Sequence, residues 1–268
     1  MKPYYEEENI TIYNGDCLEI MPQIAKESID LVVTSPPYDN LRDYKGYSFN
    51  FEGIAKELFN IMVQGGVVVW VVGDATIEGS ETGTSFKQAL YFKELGFNLH
   101  DTMIYEKNGC PYADKVRYLA SFEYMFIFSK DKPKAINLLM DRKNRWEKSF
   151  GCVSNRQKDG TLKVVAPKAY RPYGIRFNIW RIDSGYDRTT LDDYAFKHPA
   201  MFPEKLAKDH ILSWSNAGNI VLDPLMGSGA TIKAAKELGR RAIGIEISKE
   251  YCDIAIKRLQ NTQKDMFL

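Results

Sequence analysis

Between residues 219 and 246 the chain carries a pattern that few architectures accommodate. A short apolar run (219–222) leads into Asp223-Pro224-Leu225-Met226-Gly227-Ser228-Gly229-Ala230-Thr231, then a helical pattern (232–238), then a second apolar run (241–245) that ends in Glu246. Two strands joined through a helix read as parallel neighbours in one sheet. Gly227 and Gly229 permit positive φ and close approach of the backbone to a ligand, and the helix start behind them offers unpaired N–H groups. Glu246 follows Asp223 by 23 residues, where an acidic side chain can accept both hydroxyls of a ribose. Plain packing of helix on strand would use the same glycines, so the turn alone does not require a ligand; Glu246 favours a nucleoside. Only one glycine pair is present, and the lysine of a G-x-x-x-x-G-K-[ST] phosphate loop is missing. A nucleoside without phosphates therefore fits better than a nucleotide, and S-adenosylmethionine is such a ligand.

The rest of the chain keeps the same rhythm. Strands are expected at 10–13, 29–33, 67–72 and 102–105, helices at 54–62 and 85–95, and an antiparallel strand at 124–128. Helices at 204–214 and 249–259 flank the glycine turn. Near-continuous Val and Ile at 29–33 and 67–72 imply strands covered on both faces, hence an α/β fold with a mostly parallel sheet and helices on either side. In such sheets ligands bind beyond the carboxyl ends of the strands. Asp16, Ser35, Asp223 and Glu246 all fall at expected strand ends.

Thr34-Ser35-Pro36-Pro37-Tyr38 follows the second of these strands. A planar exocyclic amine, as on cytosine or adenine, is a poor nucleophile because its lone pair is delocalised into the ring. A site helps by accepting hydrogen bonds from both N–H groups. Ser35 Oγ can accept one and a proline carbonyl the other, since consecutive prolines hold φ near about −65° and aim their carbonyls. Such acceptors stabilise the transition state more than the ground state. Tyr38 offers a ring for an extruded base, an interaction worth roughly 1–3 kcal/mol. The alternative is a strand that ends in a Pro-Pro turn, with Tyr38 merely packing.

Taken together, these residues resemble the amino-methyltransferases that act on DNA, whose catalytic motif reads [D/N/S]-P-P-[Y/F] and whose cofactor motif reads D-P-F-x-G-S-G-T. Asn14-Gly15-Asp16-Cys17, Gly65-Gly66-Val67, Phe122-Glu123-Tyr124 and His198-Pro199-Ala200-Met201-Phe202-Pro203 resemble further family motifs, so the likeness spans nearly the whole chain. The resemblance implies a Rossmann-like S-adenosylmethionine-dependent methyltransferase fold. It implies catalytic roles for Ser35, Pro36, Pro37 and Tyr38, and cofactor contacts from Asp16, Cys17, Phe202, Asp223, Leu225, Met226, Gly227, Ser228, Gly229, Glu246 and Ile247. The strand beginning at Phe122 would line the base pocket. The catalytic motif precedes the cofactor turn, which resembles the permuted β class and differs from protein-glutamine methyltransferases. Two positions depart from the pattern: Leu225 stands where an aromatic is expected, and Ser35 where adenine-modifying members commonly have Asp. T-S-P-P-Y looks more like cytosine-N4 than adenine-N6 methylation, although a neutral serine could accept from either amine.

Residues 131–197 lack the strand–helix rhythm. They hold fifteen Lys and Arg against eight Asp and Glu, a net +7 in a chain whose total is +1, which leaves −6 for the remainder. A basic insert in a mildly acidic chain suggests a polyanion surface, although a solvated loop would look similar. The expected organisation is therefore 1–130 and 198–268 as two halves of one methyltransferase domain, with 131–197 as a target-recognition insert. Candidate DNA-binding residues are Arg142, Lys143, Arg145, Arg156, Lys168, Arg171 and Arg176, interleaved with aromatics that could instead form the insert's own core. Arg42 and Tyr44 lie in a polar stretch that could close over extruded DNA. Double-stranded DNA is the expected partner. A companion restriction endonuclease, a monomeric or homodimeric state, an RNA substrate and a silent DNA-binding module are left open. Cys17, Cys110, Cys152 and Cys252 form no C-x-x-C pair and no H-E-x-x-H occurs, so neither a metal site nor a disulfide framework is expected. With no apolar run approaching the roughly 18 residues of a membrane span, a soluble cytoplasmic protein is expected.

Overall fold

The computed structural model describes residues 1–37, 49–109, 115–145, 153–165, 171–185 and 188–262. The chain divides into two compact units, one formed by residues 1–137 and 178–268, the other by Leu138–Phe177.

The larger unit is built on nine strands: β1 (Tyr5–Glu7), β2 (Ile10–Asn14), β3 (Ile29–Thr34), β4 (Met62–Val72), β7 (Asn98–Glu106), β8 (Phe122–Ser129), β13 (Ile179–Arg181), β14 (Ile220–Asp223) and β15 (Arg241–Glu246). The short hairpin β5 (Thr76–Ile77) and β6 (Ser80–Glu81) stands apart from the sheet. The order across the sheet is β1-β2-β15-β14-β3-β4-β8-β7-β13. Only β1 and β8 run against the rest. The helices are α1 (Cys17–Ile20), α2 (Phe51–Ile61), α3 (Thr84–Glu94), α4 (Glu204–Trp214), α5 (Ala230–Glu237) and α6 (Lys249–Gln260). No helix among the described residues is long and apolar enough to cross a membrane.

The physics of the central strands is that of a doubly covered sheet. Leu31, Val32 and Val33 of β3 and Val67 to Val72 of β4 are all buried, so both faces of each strand are packed and the alternation of a half-exposed strand is absent. α2 begins with Asn50, whose side chain accepts from Gly53 N, and buries Ile54, Ala55, Leu58 and Ile61 along one face. Its last carbonyls would be orphaned, but buried Lys130 donates to Phe59 O and Met62 O, and places its charge at the negative end of the helix. Between Ile29 and Leu31 the pairing of β3 with β4 shifts register. The extra length is taken up near Gly65, whose φ of +79° and close approach to Lys134 leave no room for a side chain.

Three features differ from the sequence reading. The strand expected at 124–128 is antiparallel as expected, to both β4 and β7, but runs from Phe122 to Ser129. The strand expected at 67–72 begins at Met62. The stretch 178–197, drawn from sequence as part of the insert, is within the larger unit: Trp180 and Ile182 are buried, and β13 extends the sheet beside β7. Three residues are too few to show a period, which is why β13 is invisible in sequence.

The smaller unit holds two antiparallel pairs, β9 (Arg142–Lys143) with β12 (Tyr173–Gly174), and the hairpin β10 (Val153–Arg156) with β11 (Leu162–Val165). The second closes through Gly160 at φ +84° and through Asp159, which accepts from Thr161 N and Oγ1.

Candidate active site at the carboxyl edge of the sheet

Because β2, β15, β14, β3 and β4 are parallel, their carboxyl ends share one edge. Asn14, Glu246, Asp223, Thr34 and Val72 end these strands. From β14 the chain moves outward to β15 through α5, whereas from β3 it moves the opposite way to β4 through α2. The crevice between β14 and β3 is thus the topological switch point, where α/β sheets bind ligands. The sequence motifs meet there.

A buried side-chain bond joins the two halves: Thr34 Oγ1 donates to Asp223 Oδ1 at 2.7 Å. The same carboxylate oxygen accepts from Leu225 N at 3.2 Å. Asp223 is 5% exposed, and its role here is that of an internal strut. Burial pushes its carboxyl up to about 6, against the hydrogen bond from Thr34, while the Glu246 charge pushes the same way as burial. A second tie runs from Thr231 Oγ1 to Val33 O at 3.1 Å. Thr34 is fully buried, so the residue before Ser35 is held by the strand end that leads into the glycine turn. Ser35 and Pro37 are half-buried and Pro36 is buried, at the mouth of the crevice.

The glycine turn is held from several directions. Glu246 Oε2 accepts from Gly227 N at 2.9 Å and its Oε1 from Ser248 N at 2.8 Å. Each carboxylate oxygen has a further lone pair, so these bonds leave the side chain able to accept from a ligand. Burial raises the Glu246 carboxyl against the three backbone N–H groups that lower it. Gly227 has φ +50°, and a Cβ there would lie 2.7 Å from His198 Nε2. His198 caps its own segment by accepting from Ala200 N and meets the Tyr251 ring edge-on. Asn14 Nδ2 donates to Glu246 O and Ile247 O, and Gly15 N donates to Glu246 O, which locks the end of β2 onto the end of β15.

Other expected contact residues take several places. Asp16 caps α1 by accepting from Leu18 N at 2.8 Å. Cys17 is buried, with its thiol pushed up to about 12 by burial and then by Asp16. Leu225 is half-buried against the main core, Met226 is buried, and Phe202 is half-buried. The Ser228 hydroxyl accepts from Arg258 Nη1 at 3.2 Å and donates to Met201 Sδ at 3.4 Å, and the Ser228 carbonyl accepts from Arg258 Nη1 at 2.7 Å. Tyr38, Arg42, Tyr44 and Lys168 lie outside the described residues.

At the same edge β8 contributes Phe122 and Tyr124, the latter level with Val72 of β4. Their rings meet edge-on at 5.3 Å, and Phe86 of α3 meets Tyr124 at 5.2 Å. Asp74 accepts from Ser85 N and Oγ and so fixes the start of α3 beside this aromatic group. Phe86 escaped sequence reading because it looks like an ordinary helix residue; only the packing of α3 puts it next to Tyr124.

In the smaller unit, Lys143, Arg145, Arg156 and Arg171 are exposed. Arg142 and Arg176 are engaged within the unit. Arg142 donates to Ile175 O and lies over the Phe177 ring, and Arg176 pairs with Asp141.

Residues 29–257 match the DNA methylase family of the N6/N4 type, and the chain belongs to that family. An orphan methyltransferase of Bacillus amyloliquefaciens, M.BamHII, is 60% identical over 250 residues, covering 92% of this chain and 91% of that one. The DNA adenine methyltransferase YhdJ of Escherichia coli K12 is 29% identical over 93% of this chain and 82% of its own. Among solved structures, PvuII DNA methyltransferase, described as cytosine-N4-specific, superposes with a TM-score of 0.68 at 23% identity, covering 96% of this chain and 88% of that one. A Thermus thermophilus protein described as a DNA modification methylase, complexed with S-adenosyl-L-methionine, gives a TM-score of 0.63 at 26% identity, with 93% of each chain covered.

Proposed function

We propose that this DNA methyltransferase transfers a methyl group from S-adenosyl-L-methionine to the N4 amine of cytosine in duplex DNA. The observation that carries the reading is the Thr34–Asp223 bond at the switch point, which places Ser35 and the glycine turn on one rigid crevice. The donor set fits a positively charged nucleoside without phosphates. The side chains of Asp16, Asp223 and Glu246 are carboxylates, and the cations behind the turn, Lys233 and Arg258, already face Asp192 and Glu204. A phosphate would find no unspent positive charge among these groups.

When bound, S-adenosyl-L-methionine supplies an electrophilic methyl group on a sulfonium. The chain's task is to present the nucleophile. Ser35 Oγ and the Pro36 carbonyl accept the two N–H groups of the extruded base, which returns electron density to nitrogen and fixes its direction of approach. The amine nitrogen would form the new N–C bond as the sulfonium S–C bond breaks and the neutral thioether leaves with the electron pair, and its proton would pass to water, so no covalent enzyme intermediate and no strong general base are required. The aromatic group of Phe86, Phe122 and Tyr124 supplies apolar surface for a base, and exposed Lys143, Arg145, Arg156 and Arg171 supply phosphate contacts.

Serine in the catalytic motif supports cytosine. The adenine reading is supported by the relationship to YhdJ. The name of the Bacillus amyloliquefaciens relative supports modification without a companion endonuclease. Labelled S-adenosyl-L-methionine and unmethylated genomic DNA, followed by digestion and mass spectrometry of the nucleosides, test the assignment: N4-methylcytosine is expected, N6-methyladenine would replace the base, and unlabelled DNA would overturn the reading.

A further inference from the structure

Arg258 is the most unusual residue of the fold. It lies near the end of α6, in a stretch (Lys257, Arg258) that looks like the solvated basic end of a helix, yet its exposure is 0%. A guanidinium has five N–H groups and accepts nothing. All five have an acceptor. Nε donates to Asp192 Oδ2 at 2.9 Å. Nη1 donates to Ser228 O at 2.7 Å and Ser228 Oγ at 3.2 Å. Nη2 donates to Glu204 Oε1 and to Thr190 Oγ1. Lys233 of α5 then donates to the same two carboxylates, at 2.8 Å to Asp192 and 2.9 Å to Glu204. Two cations and two anions balance. Burial works to raise both carboxyls, yet the hydrogen bonds and charges of their cationic partners hold Asp192 and Glu204 below the usual carboxylate range.

Buried ion clusters of this kind add little to stability compared with apolar residues of the same shape, because desolvation offsets the attraction. Thr190 bonds within the cluster, to Arg258 and Glu204, whereas Ser228 links it outward: its hydroxyl and its backbone carbonyl, in the middle of the cofactor turn, both accept from Arg258. The peptide unit between Ser228 and Gly229 is gripped at both ends, since its carbonyl accepts from Arg258 and its N–H donates to Met226 O at 2.8 Å. One helical turn earlier on α6, Ala255 packs so closely on Gly229 that a Cβ there would lie 2.6 Å from Ala255 Cβ. α6 therefore meets the turn at two consecutive points, one steric and one polar, while Glu246 holds Gly227 N from the other side.

We propose that Arg258 is a positioning residue for the cofactor, which sets the orientation of the Ser228–Gly229 peptide through its carbonyl and thereby the shape of the turn that S-adenosyl-L-methionine meets. The proposal rests on the reading of this turn as the cofactor site, and it assigns Asp192, Glu204 and Lys233 the supporting role of fixing the guanidinium. Arginine is required because a single planar fork must serve three directions at once; an ammonium is a point donor and cannot span them.

The test compares S-adenosyl-L-methionine affinity, by calorimetry, with the melting temperature of the ligand-free protein in four forms. These are wild type, Arg258→Lys, the double variant Arg258→Gln with Glu204→Gln, and Phe97→Leu, a core substitution distant from the turn that provides a matched loss of stability. The double variant removes one charge of each sign, with Glu204→Gln isosteric and Arg258→Gln shorter and without the guanidinium fork; should it fail to fold, Arg258→Lys decides alone. Affinity is expected to fall about tenfold or more in the Arg258 variants and to stay within about twofold of wild type in Phe97→Leu. Equal affinities in Arg258→Lys and wild type, or equal losses in the Arg258 and Phe97 variants, would overturn the proposal. Wild type that does not bind S-adenosyl-L-methionine would instead overturn the functional reading on which it rests.

Discussion

Replacing Thr34 by Val removes one hydroxyl and nothing else of similar size, and its consequence can be worked from the structure. Thr34 Oγ1 and Asp223 Oδ1 are 2.7 Å apart, both residues are buried, and the Asp223 carboxyl stands at about 6. Above that pH the bond is to a charged acceptor, worth roughly 1.5–3 kcal/mol, whereas below it the bond is neutral and worth about 1 kcal/mol. The sign of the pH dependence follows from linkage. The folded chain holds this proton more tightly than the unfolded one, whose carboxyl titrates near the ordinary 3.8. The stability associated with Asp223 therefore falls as pH rises from about 4 to about 6 and is level above. Removing Thr34 raises the folded value further, because the lost bond favoured the ionised form. The deficit of Thr34→Val should be small at pH 5 and reach its full size by pH 8. In a chain of this length, where 1 kcal/mol moves the melting temperature by about 2 °C, that corresponds to a fall of about 3–6 °C at pH 8 and about half as much or less at pH 5. Thermal denaturation followed by circular dichroism at pH 5, 6, 7 and 8 reads this directly. A loss that is the same at pH 5 and pH 8 would refute the account of Asp223 as a buried, ionised strut.

Three further outcomes are expected. Ser35→Ala should lower turnover by about 10²–10³ while S-adenosyl-L-methionine affinity stays within about twofold, since the hydroxyl serves the base rather than the cofactor; equal losses in single-turnover rate and calorimetric affinity would break that division. Gly229→Ala should destabilise the protein by about 1–3 kcal/mol, because φ is +80° and the added methyl would sit 2.6 Å from Ala255 Cβ; an unchanged denaturation midpoint in urea would contradict the close approach of α6. Replacing Lys143, Arg145, Arg156 and Arg171 together by Gln should reduce the slope of log affinity for DNA against log salt by about 1 for each phosphate no longer neutralised, with cofactor affinity unchanged; an unaltered slope would remove these residues from the DNA interface.

The local patterns carried much of the fold. Continuous Val and Ile in β3 and β4 announced strands buried on both faces, and the spacing from Asp223 through Gly227 and Gly229 to Glu246 announced a strand–turn–helix–strand unit, because each signal is confined to a few neighbouring residues whose backbone preferences act locally. β13 was hidden because three residues show no period. The extent of the basic segment was overdrawn for a related reason: charge in 178–197 looks the same whether a side chain meets water or, like Asp192, a buried cation.

By itself, then, the sequence determined the chemistry on offer: a serine and two prolines at one strand end, a glycine turn at another, an acidic residue at a third. Only the tertiary structure decided which of these groups bond to each other. Asp223 and Ser228 read as cofactor contacts, and the structure adds that Asp223 Oδ1 accepts from Thr34 and the Ser228 hydroxyl from Arg258. Arg258 reads as a solvated helix end, yet it is buried with all five of its donors engaged. The reason is that hydrogen bonds and ion pairs between residues separated by 30 to 189 positions leave no trace in local periodicity. Their energies depend on burial, which is a property of the assembled sheet and helices rather than of any one segment.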